Sequence, residues 1–190
     1  RFDLAGKVPS NATITSVDLT LRVTKTPPTL SAVPSTFGLH RVTQIWSEGS
    51  GSGVRGGPAR AGETTWNART FPSTSWSAPG AEAGSDYVAK SSSSKAIVGL
   101  GNYVFASTTD FVADVQAWLA NPAANFGWML ISQSEGSAFT ARRFSSRENP
   151  ATSPTLVINY TAPVTVSPEG SISQVAVVEG NSGVASAVFA

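Results

Sequence analysis

The stretch ITSVDLTLRVT, residues 14–24, alternates apolar and polar side chains from one position to the next. Successive side chains of an extended strand point to opposite sides, so the apolar residues of this stretch share one face. That face is formed by Val17, Leu19, Leu21 and Val23. A strand with one apolar and one polar face is typical of an antiparallel sheet that covers a core on one side and meets water on the other.

The other runs of β-branched and aromatic residues are short and lie between turn signals rich in Gly, Pro and Ser, which is the pattern of further strands. We predict strands at residues 38–46, 87–89, 102–106, 126–132, 139–147 and 154–161, and residues 1–4 also have a strand-like pattern. Residues 47–62, SEGSGSGVRGGPARAG, have almost no apolar side chain and predict an exposed loop. A second loop is predicted at residues 67–85.

The apolar period changes in TTDFVADVQAWLANP, residues 108–122. Its apolar side chains recur at a spacing that lines them along one face of a helix. They are Phe111, Val115, Trp118 and Leu119. We expect Thr109 or Asp110 to cap the start of this helix, Asp114 to lie on its solvated face, and Pro122 to end it. About eight strands and one short helix near residues 110–120 predict an all-β, jelly-roll-like antiparallel sandwich.

Composition limits the function classes. The chain has 190 residues and a hydrophobic content of 41%, which suits one main domain of roughly 100–200 residues. Charged residues make up 13% and the formal net charge is +1, so a broad basic surface for nucleic acid is not expected. The chain has 0 Cys, which excludes disulfides and thiolate metal sites. No apolar run approaches the roughly 18 residues of a membrane span.

Several unusual segments resemble, in the same order, the DNRLRE domain of exported bacterial and archaeal proteins. They are RFDL (1–4), VPSNATITS (8–16), TTWN (64–67), VQAWLANPAANFGWML (115–130), FSSRE (144–148) and PTLVINYT (154–161). The resemblance covers residues 1–161 and implies a jelly-roll sandwich related to carbohydrate-binding modules. Some members of this family are grouped with binders of acidic polysaccharides such as alginate. The resemblance also implies an extracellular or cell-surface location, with the export signal outside this sequence.

Members of that family usually carry further strand sequence before the segment that corresponds to residues 1–4, and this sequence does not. A sandwich without that strand is expected to have an unpaired sheet edge and an open groove into its core.

The last segment, SISQVAVVEGNSGVASAVFA at residues 171–190, follows a predicted linker at 162–170. It has two short β-like runs around a turn, and it resembles the start of a Calx-beta repeat, which makes it the beginning of a second β domain in one interpretation. In another, it is a donor strand that completes a neighbouring subunit, so that copies of the chain assemble into an extracellular filament by strand complementation. The predicted subunit contacts are Val175, Val177, Val178, Val184, Val188 and Phe189.

The candidate ligand-binding residues border the loops. Sugar rings stack on exposed aromatic faces and acidic sugars pair with guanidinium groups. Candidates for those two roles are Trp66 and Trp76, and Arg55, Arg60 and Arg69. In the alternative, these tryptophans cover the rim of the sandwich and the arginines are merely solvated. Trp118 and Trp128 are expected in the core.

No catalytic or metal site is predicted. His40 is the only histidine, so neither a triad nor a His-rich metal site can form within one chain. Glu48 and Glu63 flank the glycine-rich loop and are candidates for a glycosidase-like pair, but nothing in the sequence fixes their separation. We expect no cofactor, although a structural calcium ion is compatible with the fold class. The expected function is a non-catalytic carbohydrate-binding or adhesive module, with the filament subunit as its alternative.

Overall fold

The alternating stretch forms a strand, as predicted, and it is the longest strand among the residues that the structure describes. The computed structural model describes residues 1–28, 33–50 and 57–162, and the backbone alone of residues 185–189. In it, strand β1 runs over Thr13–Lys25. The face predicted to be apolar is buried, with exposed fractions between 0% for Val17 and 8% for Leu21. Hydrophobic periodicity therefore identified both the strand and its inward side.

The strands form two antiparallel sheets with a shared core, so the protein is an all-β sandwich with one short helix. The remaining elements are β2 (Ser35–Arg41), β3 (Ala68–Thr70), β4 (Thr74–Ser75), β5 (Ser93–Ile97), β6 (Gly101–Phe105), α1 (Thr109–Ala120), a 3-10 turn (Pro122–Ala124), β7 (Trp128–Ser132), β8 (Arg143–Phe144), β9 (Thr155–Thr161) and β10 (Ala185–Phe189). The larger sheet has the order β10-β9-β1-β6, with β8 also paired to β1. The smaller has the order β5-β2-β7, and β3 and β4 form a separate hairpin.

Helix α1 places its apolar stripe in the core, as its period predicted. Phe111 and Val115 are fully buried, and Trp118 and Leu119 nearly so. The capping residue is Thr108 rather than Thr109 or Asp110, because its hydroxyl oxygen accepts a hydrogen bond from the Phe111 N–H at 3.0 Å. The same hydroxyl donates to the carbonyl of Ser92, which ties the start of the helix to the chain before β5.

Three strand predictions were wrong in extent. The strand predicted at 38–46 begins earlier and ends at Arg41, and the one at 87–89 is reduced to a bridge at Tyr87. The strand predicted at 139–147 is reduced to the two residues of β8. Residues 1–4 have no regular structure, although Leu4 is buried. In each case the apolar run is held by loop contacts instead of a ladder, so local β propensity overestimated strand length.

Strand β5 was missed because its sequence, SSKAI, continues a run of serines. Ser93 is nevertheless buried, and its hydroxyl donates to the carbonyl of Ala106 at 2.8 Å. A serine whose hydroxyl group is hydrogen-bonded can occupy a core position. Such a position is invisible to a search for alternating apolar side chains.

Strand β10 pairs with β9 of the same chain, with Ala185 opposite Tyr160 and Phe189 opposite Leu156. Residues 163–184 lie outside the described residues, and with them nearly all of the predicted linker. So do the predicted subunit contacts Val175, Val177, Val178 and Val184. The other two, Val188 and Phe189, lie in β10, so their backbone is paired within the subunit. Among the described residues, no helix is long and apolar enough to cross a membrane.

Candidate functional site

The candidate residues lie in the long passage between β2 and β5, in which a buried carboxylate holds residues 77–86 together. Asp86 is 2% exposed and accepts hydrogen bonds from the N–H groups of Ser77 and Glu82 and from the Ser77 hydroxyl. The carbonyl of Asp86 in turn accepts from the Thr43 N–H at 2.9 Å, just after β2. Buried polar groups with several partners rigidify the segments that supply them. Residues 77–86 and Thr43 are therefore held in fixed positions relative to one another.

Trp66 stands at the tip of a tight turn in this passage. The Thr65 hydroxyl oxygen accepts hydrogen bonds from the N–H groups of Asn67 and Ala68, and the Thr65 N–H donates to the Ala68 carbonyl at 2.7 Å. Such a hydroxyl-stabilised turn exposes its central residues. Trp66 is accordingly 65% exposed, a large value for an indole.

One face of the Trp66 ring lies on Gly80. The Gly80 N–H donates to the Trp66 carbonyl at 2.7 Å, and a Cβ added at residue 80 would stand 2.4 Å from Cη2 of the indole. Gly80 also has a φ of +84°, a conformation that side chains rarely adopt. The ring is thus supported by main chain on one side and open to water on the other. This arrangement, called here the Trp66 platform, is suited to stacking against a flat apolar ligand face.

Trp76 does not belong to this surface. It is 7% exposed, and its indole N–H donates to the Thr65 carbonyl at 3.1 Å beneath the turn that carries Trp66. Trp76 therefore supports the platform from inside and has no face free for a sugar, which corrects its assignment as a stacking residue. Trp46 is half-buried and donates to the Phe126 carbonyl at 2.7 Å, so it is also engaged within the fold.

The predicted arginines have different surroundings. Arg60 is exposed and its backbone N–H donates to Glu63, whereas Arg69 is half-buried and donates from Nη1 to the Ile45 carbonyl at 3.0 Å. Neither guanidinium forms an ion pair with a carboxylate of the described residues. Arg55 lies outside the described residues. Arg60 and Arg69 thus lie on the same passage as the Trp66 platform without an ion pair, although the charge of Arg60 helps to lower the pKa of Glu63.

The arginines near β8 are engaged in holding the fold. Arg142 donates from its guanidinium to the main-chain carbonyls of Phe139, Val33 and Ile97. Arg147 pairs with Glu48 at 3.1 Å and with Glu148 at 3.3 Å. A guanidinium with several internal acceptors is a structural cross-link, so this group is not a ligand site.

The two glutamates considered as a catalytic pair have separate partners. Glu48 pairs with Arg147, whereas Glu63 accepts hydrogen bonds from the N–H and hydroxyl of Ser50 and from the N–H of Arg60. Those hydrogen bonds, led by the Ser50 N–H, lower the pKa of Glu63 to about 2. A carboxyl group with that pKa is ionised at neutral pH and holds no proton to donate, which removes it from the role of general acid.

Asp114 is the polar centre that the sequence reading missed. It was expected on the solvated face of α1, but it is 8% exposed. One of its carboxylate oxygens accepts hydrogen bonds from the Ser92 hydroxyl and, at 2.7 Å, from the Trp128 indole. The other lies 3.0 Å from Nε of Arg41. Burial raises the pKa of Asp114, and the hydrogen bonds from Ser92 and Trp128 oppose that shift.

The position of Asp114 in the helix was the available signal. It follows Phe111 by three residues and precedes Trp118 by four, the spacing of a single helical face. Its partners connect α1 to the end of β2, to β7 and to the chain before β5. The Trp128 ring that binds it packs against Phe111 and Trp118, with ring centres 4.8 Å and 4.4 Å away. Asp114 therefore anchors the helix to the smaller sheet.

His40 is part of the interior. It is 9% exposed, its Nδ1 lies 3.0 Å from the Val88 carbonyl, and its ring meets Tyr87 edge-on. Within the described part of the chain, no group of three or more His, Cys, Asp or Glu residues is placed to hold a metal ion. Comparisons with protein-family models, with curated proteins and with solved structures find no match to this chain.

Proposed function

We propose that this chain is a non-catalytic carbohydrate-binding or adhesive module of an exported protein, and that it binds an acidic polysaccharide. The observation that carries the proposal is the Trp66 platform. Trp66 is 65% exposed and its indole is seated on Gly80, so it loses little conformational freedom when a sugar ring stacks on it. Pre-organisation of this kind lowers the entropic cost of binding.

Electrostatics favour an acidic ligand. Arg60 and Arg69 lie in the same passage as Trp66, and neither is neutralised by an ion pair with a described carboxylate. Guanidinium groups bind carboxylates through paired, charge-assisted hydrogen bonds. The resemblance of residues 1–161 to the DNRLRE domain supports the same ligand class and an extracellular location.

The absence of a catalytic role is part of the proposal. Glu63 is held ionised by its own hydrogen bonds, and Glu48 is paired with Arg147. A glycosidase needs one carboxyl group that carries a proton and a second that faces the same bond. The proposal therefore predicts binding without release of reducing ends.

The experiment is a binding titration of the full chain with alginate and with a neutral polysaccharide of similar length. We expect alginate to bind more tightly, with an affinity that falls as salt rises because the Arg contacts are screened. Equal affinity for both polymers, or no affinity for either, contradicts the proposal.

A further inference from the structure

The smaller sheet has an unpaired edge. In the order β5-β2-β7, strand β7 has β2 on one side and no described strand on the other. The Val42 N–H donates to the Gly127 carbonyl, and the Gln133 N–H donates to the Thr36 carbonyl. The N–H and C=O groups of the odd-numbered residues of β7 therefore point towards β2. By the alternation of an antiparallel ladder, the N–H and C=O groups of Trp128, Leu130 and Ser132 face away from it. They form a template for one more strand.

An apolar groove lies beside that edge. It has a volume of about 600 Å³ and opens between the two sheets. Its floor includes Leu19 and Leu21 of β1, Leu39 of β2 and Leu130 of β7. Its rim carries charges of both signs, from Arg1, Asp3, Lys7, Glu48, Arg147 and Glu148, and Arg147 is paired with Glu48 and Glu148. An apolar floor next to free backbone groups is the geometry that accepts an extended segment, because the ladder gives affinity and alternate side chains fill the groove.

We propose that this groove, together with the outer edge of β7, binds the segment 172–178 of a second copy of the chain. That segment reads ISQVAVV, in which four of the seven residues are β-branched; it is free of Pro and Gly and able to present Val175 and Val177 to the groove from one face of a strand. It lies among the 22 consecutive residues, 163–184, that the structure does not describe. The segment 172–178 itself carries no charged side chain, which suits the apolar floor of the groove.

The connection to β10 favours a second copy over the chain's own segment. Ala185 is held opposite Tyr160, whereas the groove begins at the level of Leu19, which is opposite Leu156. To reach the groove of its own chain, the segment 172–178 would have to lie about 13–20 Å from Ala185 along the strand direction and about 10 Å away across the gap between the sheets. Six residues, 179–184, connect it to Ala185, and they span that path only when nearly extended. They contain Gly180-Asn181-Ser182-Gly183, a turn sequence.

Such a contact joins two different surfaces, a tail and a groove, so each copy can bind one neighbour and be bound by another. Repeated between successive copies it yields chains of subunits, whereas two copies that exchange tails form a closed dimer and no higher multimers. The groove shares no residue with the Trp66 platform, and this inference stands independently of the carbohydrate proposal.

The absence of cysteine makes cross-linking a direct test. Leu130→Cys on β7 and Val177→Cys in the tail are prepared as separate variants, mixed and oxidised. We expect a disulfide-linked dimer from the mixture and a ladder of multimers from the double variant. Glu148→Cys, on the groove rim, replaces Leu130→Cys if the latter does not fold. Val98→Cys is the control, because Val98 is 46% exposed beside the opposite edge strand β5 and should not cross-link to Val177→Cys.

The second measurement is sedimentation of the full chain over a range of concentrations. We expect wild type to self-associate, and the variant Val175→Asp with Val177→Asp to be at least tenfold weaker in association. The matched control, Ser167→Asp with Ser182→Asp, adds the same charge outside the segment and should associate like wild type. The proposal is overturned by a wild type that stays monomeric, by association that the Val-to-Asp changes leave intact, or by a double-Cys variant that closes a disulfide within one molecule.

Discussion

The indole of Trp66 lies directly on the main chain of Gly80, where a Cβ atom would stand 2.4 Å from Cη2 of the ring. The contact joins a surface tryptophan to a glycine 14 positions later in the chain. The two residues are also connected by a hydrogen bond from the Gly80 N–H to the Trp66 carbonyl. Glycine is required here for two reasons, its φ of +84° and the ring above it. The proposed function depends on this pair because it fixes the exposed face of the indole.

Gly80→Ala is expected to displace the Trp66 ring and weaken alginate binding. The new Cβ overlaps the ring, and the positive φ costs of order 1–2 kcal/mol for a residue with a side chain. Gly84→Ala is the matched control, because Gly84 has a φ of +86° and open space around its Cβ position. Both variants should lose similar stability in urea denaturation, whereas Gly80→Ala alone should lose affinity. Equal affinities of the two variants would show that the ring position does not matter for binding.

Asp114→Ala is expected to destabilise the fold by about 3 kcal/mol, because it leaves the Trp128 indole, the Ser92 hydroxyl and Arg41 without their acceptor. The control is Asp110→Ala in the same helix, where the side chain is 47% exposed and pairs with Lys90. An exposed pair of that kind contributes at most about 1 kcal/mol. The free energy of unfolding of each variant is measured by urea denaturation. A loss at Asp114 no larger than at Asp110 contradicts the anchoring role.

The stability that Glu63 supplies should depend on pH. Its pKa is lowered from 4.5 to about 2 in the folded chain, so the ionised form is favoured by folding. The contribution is therefore fully present above pH 4.5 and is lost as the pH falls towards 2. We expect Glu63→Gln to be less stable than wild type at neutral pH and to converge with it in acid. NMR titration of the Glu63 carboxyl locates the midpoint directly, and a midpoint near 4.5 would show that the three hydrogen bonds do not form.

The sequence predicted the elements whose pattern is periodic. Strand β1 and helix α1 were found with their buried faces, because an amphipathic repeat reports burial and secondary structure together. Strand β5 was not found, since its serines satisfy their hydroxyls within the core and so carry no apolar signal. The burial of Trp76 and the exposure of Trp66, only ten residues apart, depend on a turn closed by the Thr65 hydroxyl.

Asp114 is a second residue whose burial could not be predicted from local sequence. Its helical position matched the apolar stripe, but a carboxylate at such a position is assigned to solvent unless its partners are known. Those partners, Ser92, Trp128 and Arg41, come from three other parts of the chain. Tertiary pairing of a buried charge is not encoded in any local pattern.

The most direct measurement is the affinity of wild type, Trp66→Ala and Leu100→Ala for alginate by isothermal titration calorimetry. Leu100 is 66% exposed on the turn between β5 and β6, so its variant removes a similarly exposed apolar side chain away from the platform. We predict that Trp66→Ala weakens binding about tenfold, or about 1.4 kcal/mol, and that Leu100→Ala binds like wild type. Arg60→Ala and Arg69→Ala should each weaken binding and reduce its dependence on salt. Unchanged affinity in Trp66→Ala and in both arginine variants would contradict the account.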